Sequence, residues 1–182
     1  MKKKILVLTG SPRSGGNSDL MADAFIKGAR AAGHEVIKVK TDEKNVRGCK
    51  ACYTCYSKGV ACSQNDDFNE IAPHLESADV VVMATPLYWY TFPAQLKAVI
   101  DKMFALFVGK KNITGKECVI MACAEEHDIE AFEGLIRSWE LILKLMNWTE
   151  KGRLIVPAVR DVGDIEKTDA LEKAEALAQV FS

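Results

Sequence analysis

Four of the chain's six cysteines fall inside one fifteen-residue stretch, GCKACYTCYSKGVAC, from Gly48 to Cys62. Cys49, Cys52, Cys55 and Cys62 follow the pattern Cys-x2-Cys-x2-Cys-x6-Cys. Thiols at this density can hold a metal or an iron–sulfur cluster, do redox chemistry, form a disulfide or pack as small hydrophobes. The two short spacings let three thiolates converge on one centre, with loop amides free to donate to sulfur. The fourth sulfur can close the set locally. Zinc sites more often pair two Cys-x2-Cys units at a longer separation. The fourth cysteine of a ferredoxin run precedes proline and serves the other cluster, whereas Ser63 follows Cys62 here. Cys118 and Cys123 lie in an apolar run and read as buried small hydrophobes.

Two other stretches have chemistry-bearing composition. TGSPRSGGNSDL (9–20) is rich in glycine and small hydroxylated residues and runs into a helix. A helix N-terminus offers free N–H groups and a positive dipole end, so the loop suits an anion such as phosphate. Ser11, Arg13, Ser14, Gly16, Asn17 and Ser18 are the candidate cradle. The loop has neither the Gly-Lys-Ser/Thr ending of an ATP-type loop nor Gly-x-Gly-x-x-Gly. The alternative is an ordinary turn with Ser18 as helix cap. TPLYWYTFPAQLK (85–97) places Tyr88, Trp89, Tyr90 and Phe92 where a loop is normally polar, stiffened by Pro86 and Pro93. Either these aromatics cap the core or make a subunit contact, or they form a rigid apolar cradle for a flat ring.

The elements that must position these stretches alternate along the chain. Strands are expected at Lys4–Thr9, Glu35–Lys40, Asp79–Thr85, Glu117–Ala124 and Gly152–Val159. Helices are expected from Ser18 to about Ala32, from Asp66 or Asp67 to about Leu75, from Pro93 through Phe104, over Ile129–Asn147 and over Asp164–Phe181. Residues 47–65 form an irregular, cysteine-rich loop. Five βα repeats imply a doubly wound parallel sheet covered on both faces, in a single domain over 1–182. The flavodoxin-like order 2-1-3-4-5 fits. Ligands of such sheets bind outside the strands' carboxyl ends, where strands 1 and 3 diverge. That brings the phosphate-suited loop beside the aromatic one, and together they match FMN.

GSPRSGGNS and TPLYWYTFPAQLKAVIDKM resemble the NAD(P)H-dependent FMN reductase family of flavodoxin-like proteins, over roughly residues 4–123. The family patterns are Gly-Ser-x-Arg-x-x-Gly-Asn-Ser and Thr-Pro-x-Tyr-x-x-x-x-Pro-x-x-Leu-Lys. The resemblance implies that Ser11, Arg13, Asn17 and Ser18 hold the FMN phosphate. It implies that Pro86, Leu87, Tyr88 and Trp89 line the isoalloxazine, partly through backbone groups. The family's third flavin loop, often rich in glycine or threonine, reads ACAEEHD here (122–128), which departs from the pattern. The cysteine run is similar to that of the iron–sulfur flavoprotein branch. There it holds a four-iron, four-sulfur cluster that exchanges electrons with FMN, typically of an adjacent subunit. Many plain FMN reductases carry a similar stretch without a cluster, so cluster, zinc and free thiols all stay open.

The implied activity is reduction of a flavin, quinone or nitro-type acceptor by NAD(P)H. The flavin does the chemistry, so no side chain is singled out as catalytic, and the lone His127 reads as a surface residue. The other reading is an electron carrier that relays electrons between cluster, FMN and a partner protein. A formal net charge of −1 disfavours a nucleic-acid or anionic-membrane partner, and weakly the carrier, since carriers are usually strongly acidic. No apolar run reaches the ~18–20 residues of a membrane span. The start KKKILVL is too short for a secretory signal, so a cytoplasmic location is expected. The resemblance and the aromatic loop imply a homodimer or homotetramer. The helix over 129–147, with Trp139, Leu141, Ile142, Leu145, Met146 and Trp148, either adds to that interface or packs on the sheet.

Overall fold

The computed structural model describes residues 1–181. Its centre is a five-stranded parallel sheet in the order β2-β1-β3-β4-β5. The strands are β1 (Lys4–Thr9), β2 (Glu35–Lys40), β3 (Val80–Pro86), β4 (Glu117–Cys123) and β5 (Thr149–Val156). The helices are α1 (Asn17–Ala31), α2 (Phe68–Ser77), α3 (Ala94–Val108), α4 (Glu133–Met146) and α5 (Ala170–Leu177). The expected class and strand order are therefore the observed ones.

Alternation along each strand feeds two cores. Leu6, Leu8, Val81, Met83, Cys118 and Ile120 point to the face covered by α2, α3 and α4. Ile5, Val7, Val80, Val82, Val119 and Met121 point to the face covered by α1 and α5. Because both faces are covered, β1, β3 and β4 read as continuous apolar runs. Cys118 and Cys123 are buried within β4, as expected. Burial pushes both thiols up to about 12, so neither is a nucleophile at neutral pH.

Several boundaries differ from the sequence expectation. Helix α1 is capped by Gly16 in extended backbone, so Ser18 sits inside the first turn rather than at the cap. The region 129–147 begins as a 3-10 turn (Ile129–Phe132), where Asp128 accepts from the Glu130 N–H, and becomes α-helical only at Glu133. In α4, Trp139 and Met146 enter the core with the following Trp148, while Leu141 and Leu145 stay exposed. The fifth strand starts at Thr149, three residues before the expected Gly152, because polar residues of this edge strand still pair with β4. Residues 164–181 are two 3-10 turns flanking the short α5 rather than one helix.

Candidate functional site

A cleft of about 610 Å³ opens at the carboxyl ends of the strands, above the junction of β1 and β3. One wall is the β1–α1 loop: Ser11, Arg13, Gly16, Asn17 and Ser18 all line it. The Ser11 hydroxyl accepts from the Arg13 N–H at 3.1 Å, and the Gly16 N–H donates to the Arg13 carbonyl at 3.0 Å. The chain thereby curls to aim α1's first turn at the cleft. Helix geometry leaves first-turn amides without intrahelical partners. Ser18 adds an observation of its own. Its hydroxyl is buried and has no hydrogen-bond partner, on a residue that lines the cleft; such an arrangement costs free energy unless a ligand completes it.

Two candidate donors have other work. Asn17 Nδ2 donates to the Asp161 carbonyl at 3.0 Å, and Asn17 Oδ1 accepts from the Ile165 N–H at 3.2 Å. Asn17 is therefore a strut between the β1–α1 and β5–α5 loops. Ser14 does not line the cleft; its hydroxyl accepts from Lys40 Nζ at 3.1 Å. Arg13 lines the rim, where its Nη1 donates to the Arg160 carbonyl at 3.1 Å. Asp19, in the same helical turn, lies 2.7 Å from Lys38 Nζ and accepts from the Gly15 N–H at 3.0 Å. Burial pushes its carboxyl upward, but the Lys38 and Gly15 hydrogen bonds and the charges of Lys38 and Lys40 hold it below the usual range. The negative charge at the helix start is thus already compensated.

The opposite wall is the β3–α3 loop, with Pro86, Leu87, Tyr88 and Trp89. Tyr88 and Thr91 exchange two backbone hydrogen bonds of 3.0 Å, closing a two-residue turn. Its central residues, Trp89 (φ 49°) and Tyr90 (φ 66°), are both left-handed, as a type I′ turn requires. Asn-Gly is the usual solution there, so two bulky aromatics carry strain of the kind that collects at ligand sites. Trp89 is 93% exposed at the tip. The Leu87 N–H donates to the Cys123 carbonyl and the Tyr88 N–H to Thr91. The Tyr88 carbonyl in turn accepts from the Thr91 N–H, and the turn's own bonds use neither the Leu87 carbonyl nor the Trp89 N–H. Helix α4 meets the turn at Gly134, where a Cβ would lie 2.7 Å from the Tyr90 carbonyl oxygen.

The third side consists of Cys123, Ala124, Glu125 and Glu126 after β4, with Val159, Arg160 and Val162 after β5. The last three were not anticipated from the sequence. The signal was available: any loop at a strand's carboxyl end borders this crevice. Arg160 Nε pairs with Glu125 at 3.3 Å on the exposed rim. His127 is exposed and does not line the cleft.

The cysteine loop lies apart from this cleft, against α3. Cys49, Cys52, Cys55 and Cys62 all line one apolar pocket together with Lys102, Phe104 and Ala105. As folded, the pocket has room for only about 20 Å³, and among the described residues no three ligands converge on one metal position. A cluster at these thiols therefore requires the loop's cysteines to swing together. Ala51 and Tyr53 are left-handed on either side of Cys52, and the Ala51 N–H donates to Cys49 Sγ at 3.5 Å. Cys62 is buried, with its N–H and carbonyl both bonded to the Asn69 carboxamide. Hydrogen bonds from Thr54 and Ser63 lower the Cys52 thiol to about 7, while burial pushes Cys55 up.

The comparisons agree with this geometry. The family model for NADPH-dependent FMN reductase matches residues 3–147. The chain belongs to the NADPH-dependent FMN reductase family. An iron–sulfur flavoprotein of Archaeoglobus fulgidus is 40% identical over 55% of this chain and 45% of its own length. One from Methanosarcina thermophila is 34% identical over 64% and 59%. This FMN reductase family member thus spans about half the length of the iron–sulfur relatives it matches. A Bacillus subtilis protein named for NAD(P)H-dependent, FMN-containing oxidoreductase activity is 24% identical over 96% of each chain. The NAD(P)H:quinone oxidoreductase of Methanothermobacter marburgensis superposes over both whole chains with TM-score 0.75 at 17% identity, a likeness of fold. No helix among the described residues is long and apolar enough to cross a membrane.

Proposed function

We propose that this protein is an FMN-dependent oxidoreductase that draws reducing equivalents from NAD(P)H and passes them to a small flavin, quinone or nitro-type acceptor. The observation that carries the reading is the buried, partnerless hydroxyl of Ser18, a first-turn residue of α1 that lines a cleft whose opposite wall is aromatic. Ser11, Ser18 and the first-turn amides of α1 would bind the phosphate, with Arg13 at the rim supplying positive charge. Pro86, Leu87, Tyr88 and Trp89 would orient the ring and keep water from one of its faces. Bound FMN supplies the hydride-accepting and electron-donating chemistry. The exposed Trp89 side leaves room for nicotinamide and acceptor in turn.

The test is titration of the purified apoprotein with FMN, followed by anaerobic mixing with NADH or NADPH. Stoichiometric binding and bleaching of the flavin band by a pyridine nucleotide are expected. Binding without bleaching by either nucleotide would transfer the protein to the carrier class.

A second reading is favoured by the cysteine pocket: an iron–sulfur flavoprotein that relays electrons between a four-iron cluster, FMN and a partner protein. The donor set is that of a cluster, since four thiols and one sulfur-directed amide border one apolar pocket. Cys49, Cys52, Cys55 and Cys62 would be the ligands. Iron and sulfide analysis after anaerobic purification separates the readings.

The exposed Trp89 and Tyr90, with Ile129, Leu141 and Leu145, support a face for a second copy of the chain. Sedimentation as a dimer or tetramer, lost in Leu141→Lys/Leu145→Lys, is the expected outcome.

A further inference from the structure

The segment after β4 differs from the other walls of the cleft in charge. Residues 125–133 read EEHDIEAFE, with five carboxylates and no lysine or arginine. Glu125 and Glu126 line the cleft. Glu126 is half-buried, and Glu125, Asp128, Glu130 and Glu133 are exposed. The segment then reaches the aromatic wall, because Gly134 packs so closely that a Cβ there would lie 2.7 Å from the Tyr90 carbonyl oxygen. An acidic stretch therefore borders the mouth of the cleft from its third side to the aromatic turn.

The stretch is held in place mainly by groups other than its charges. The Ala158 N–H donates to the Glu126 carbonyl and the Val159 N–H to the Ala124 carbonyl, each at 2.8 Å. Asp128 accepts from the Glu130 N–H at 2.9 Å, and the Phe132 ring is fully buried. Asp128, Glu130 and Glu133 also suit the positive end of the helix that follows. Glu126 has no such local use. Among the described residues only Glu125 of the five has an ion pair, with Arg160 Nε at 3.3 Å.

Flavin binding leaves this imbalance in place. The other cation lining the cleft is Arg13. A phosphate monoester carries about −1.5 to −2 at neutral pH, which takes up Arg13 and the roughly +0.5 of a helix N-terminus. Arg160 is taken up by Glu125, so Glu126 and the three carboxylates beyond it stay uncompensated. The rest of the mouth is apolar, with Trp89 and Val162 both exposed there. A flat apolar ring fits such an opening, and a negative charge on that ring meets like charge.

We propose that the acidic stretch 125–133 selects the electron acceptor by charge: the mouth admits uncharged planar acceptors of the quinone or nitroaromatic class and repels anionic ones, free FMN among them. The inference rests on the FMN reading of the cleft. A quinone reduced there takes up two electrons and two protons from reduced FMN, giving a hydroquinone and oxidised flavin.

The FMN-loaded protein is reduced anaerobically with one equivalent of dithionite, so that no pyridine nucleotide is needed. It is then mixed with 1,4-naphthoquinone or with its 2-sulfonate, the same ring carrying one negative charge. Flavin reoxidation is followed at low and high salt in the wild type, Glu126→Gln and the double variant E125Q/E126Q. The readout is the ratio of the two second-order rate constants, sulfonate over parent quinone. Comparing this ratio between proteins cancels the difference in driving force between the acceptors. At low salt the ratio should rise about threefold or more in Glu126→Gln, as expected for one charge removed at close range in water. It should rise further in the double variant, where Arg160 is freed. In the wild type alone it should rise with salt, because repulsion between exposed charges is screened. A ratio that is equal in all three proteins, or that ignores salt in the wild type, would overturn the assignment. A wild-type protein that takes up no FMN would remove the cleft reading, and this inference with it.

Discussion

The cleft above β1 and β3 and the cysteine pocket beside α3 share that helix, which leaves the first near Pro93 and reaches the second at Lys102 and Phe104. They are held in shape by different means. The cleft is formed where regular elements end: strand termini, one helix start and one tight turn dictate its outline. Its unmet demand is a single hydroxyl, that of Ser18. The cysteine pocket is formed by a loop without regular structure, held by side chains distant in sequence. Asn69 grips Cys62, Asp66 and Lys102 fasten the loop's neck, and Tyr53 packs edge-on against Phe104 with ring centroids 5.7 Å apart. Gly109 completes the seat, because a Cβ there would lie 2.4 Å from the Tyr56 ring. A cleft set by secondary structure is pre-formed for a ligand; a pocket set by loop anchors can rearrange to take one.

The sharpest way to break this contrast is Asp66→Ala. It strands the buried Lys102 ammonium and cuts the loop's neck, and removal of one partner of such a pair costs about 3–5 kcal/mol. Urea unfolding should report that loss, while FMN affinity of the folded fraction stays near wild type. A fall in FMN affinity to match would show that the two regions are one cooperative unit.

Ser18→Ala tests the cleft from the other direction. Removing a buried hydroxyl with no partner should leave apoprotein stability unchanged or slightly raised. FMN should bind about tenfold more weakly, a loss of about 1.4 kcal/mol, by fluorescence titration. Equal FMN affinity in the variant would remove the hydroxyl from the phosphate site.

The aromatic turn predicts a smaller effect. Trp89→Asn with Tyr90→Gly supplies the residues a type I′ turn favours and relieves two left-handed aromatics. The apoprotein should gain about 1 kcal/mol in thermal unfolding while flavin binding weakens. A loss of stability would mean that the aromatics are packed as core rather than held ready for a ligand.

The last effect concerns rate alone. In the metal-free protein, alkylation of Cys52 should rise as pH passes through about 7, because its hydrogen bonds favour the thiolate above that value. Cys118 and Cys123, pushed up to about 12 by burial, should remain unmodified until the protein unfolds. Equal labelling of all six would contradict the distinction between loop and core thiols.

Periodicity and composition were sufficient for much of this molecule. The apolar runs ILVL and VVVMAT, separated by helical spacing, demand a parallel sheet, and handed crossovers leave few strand orders. The glycine- and serine-rich turn after β1 and the aromatic run after β3 mark the cleft because chain direction puts both at carboxyl ends of strands. What sequence could not decide is which polar group is free. Ser14, Asn17 and Ser18 are equivalent as composition, yet Lys40 takes Ser14, the backbone at 161 and 165 takes Asn17, and Ser18 is left over. Arg160 and Val162 border the cleft because their loop follows the carboxyl end of β5, whereas Lys102 entered the cysteine pocket through contacts that no local pattern encodes. Local chemistry determines what a segment can do, because it depends on residue type and near spacing. Partnering is decided by the tertiary structure, because each buried donor or acceptor is satisfied by whatever the fold brings within about 3 Å of it.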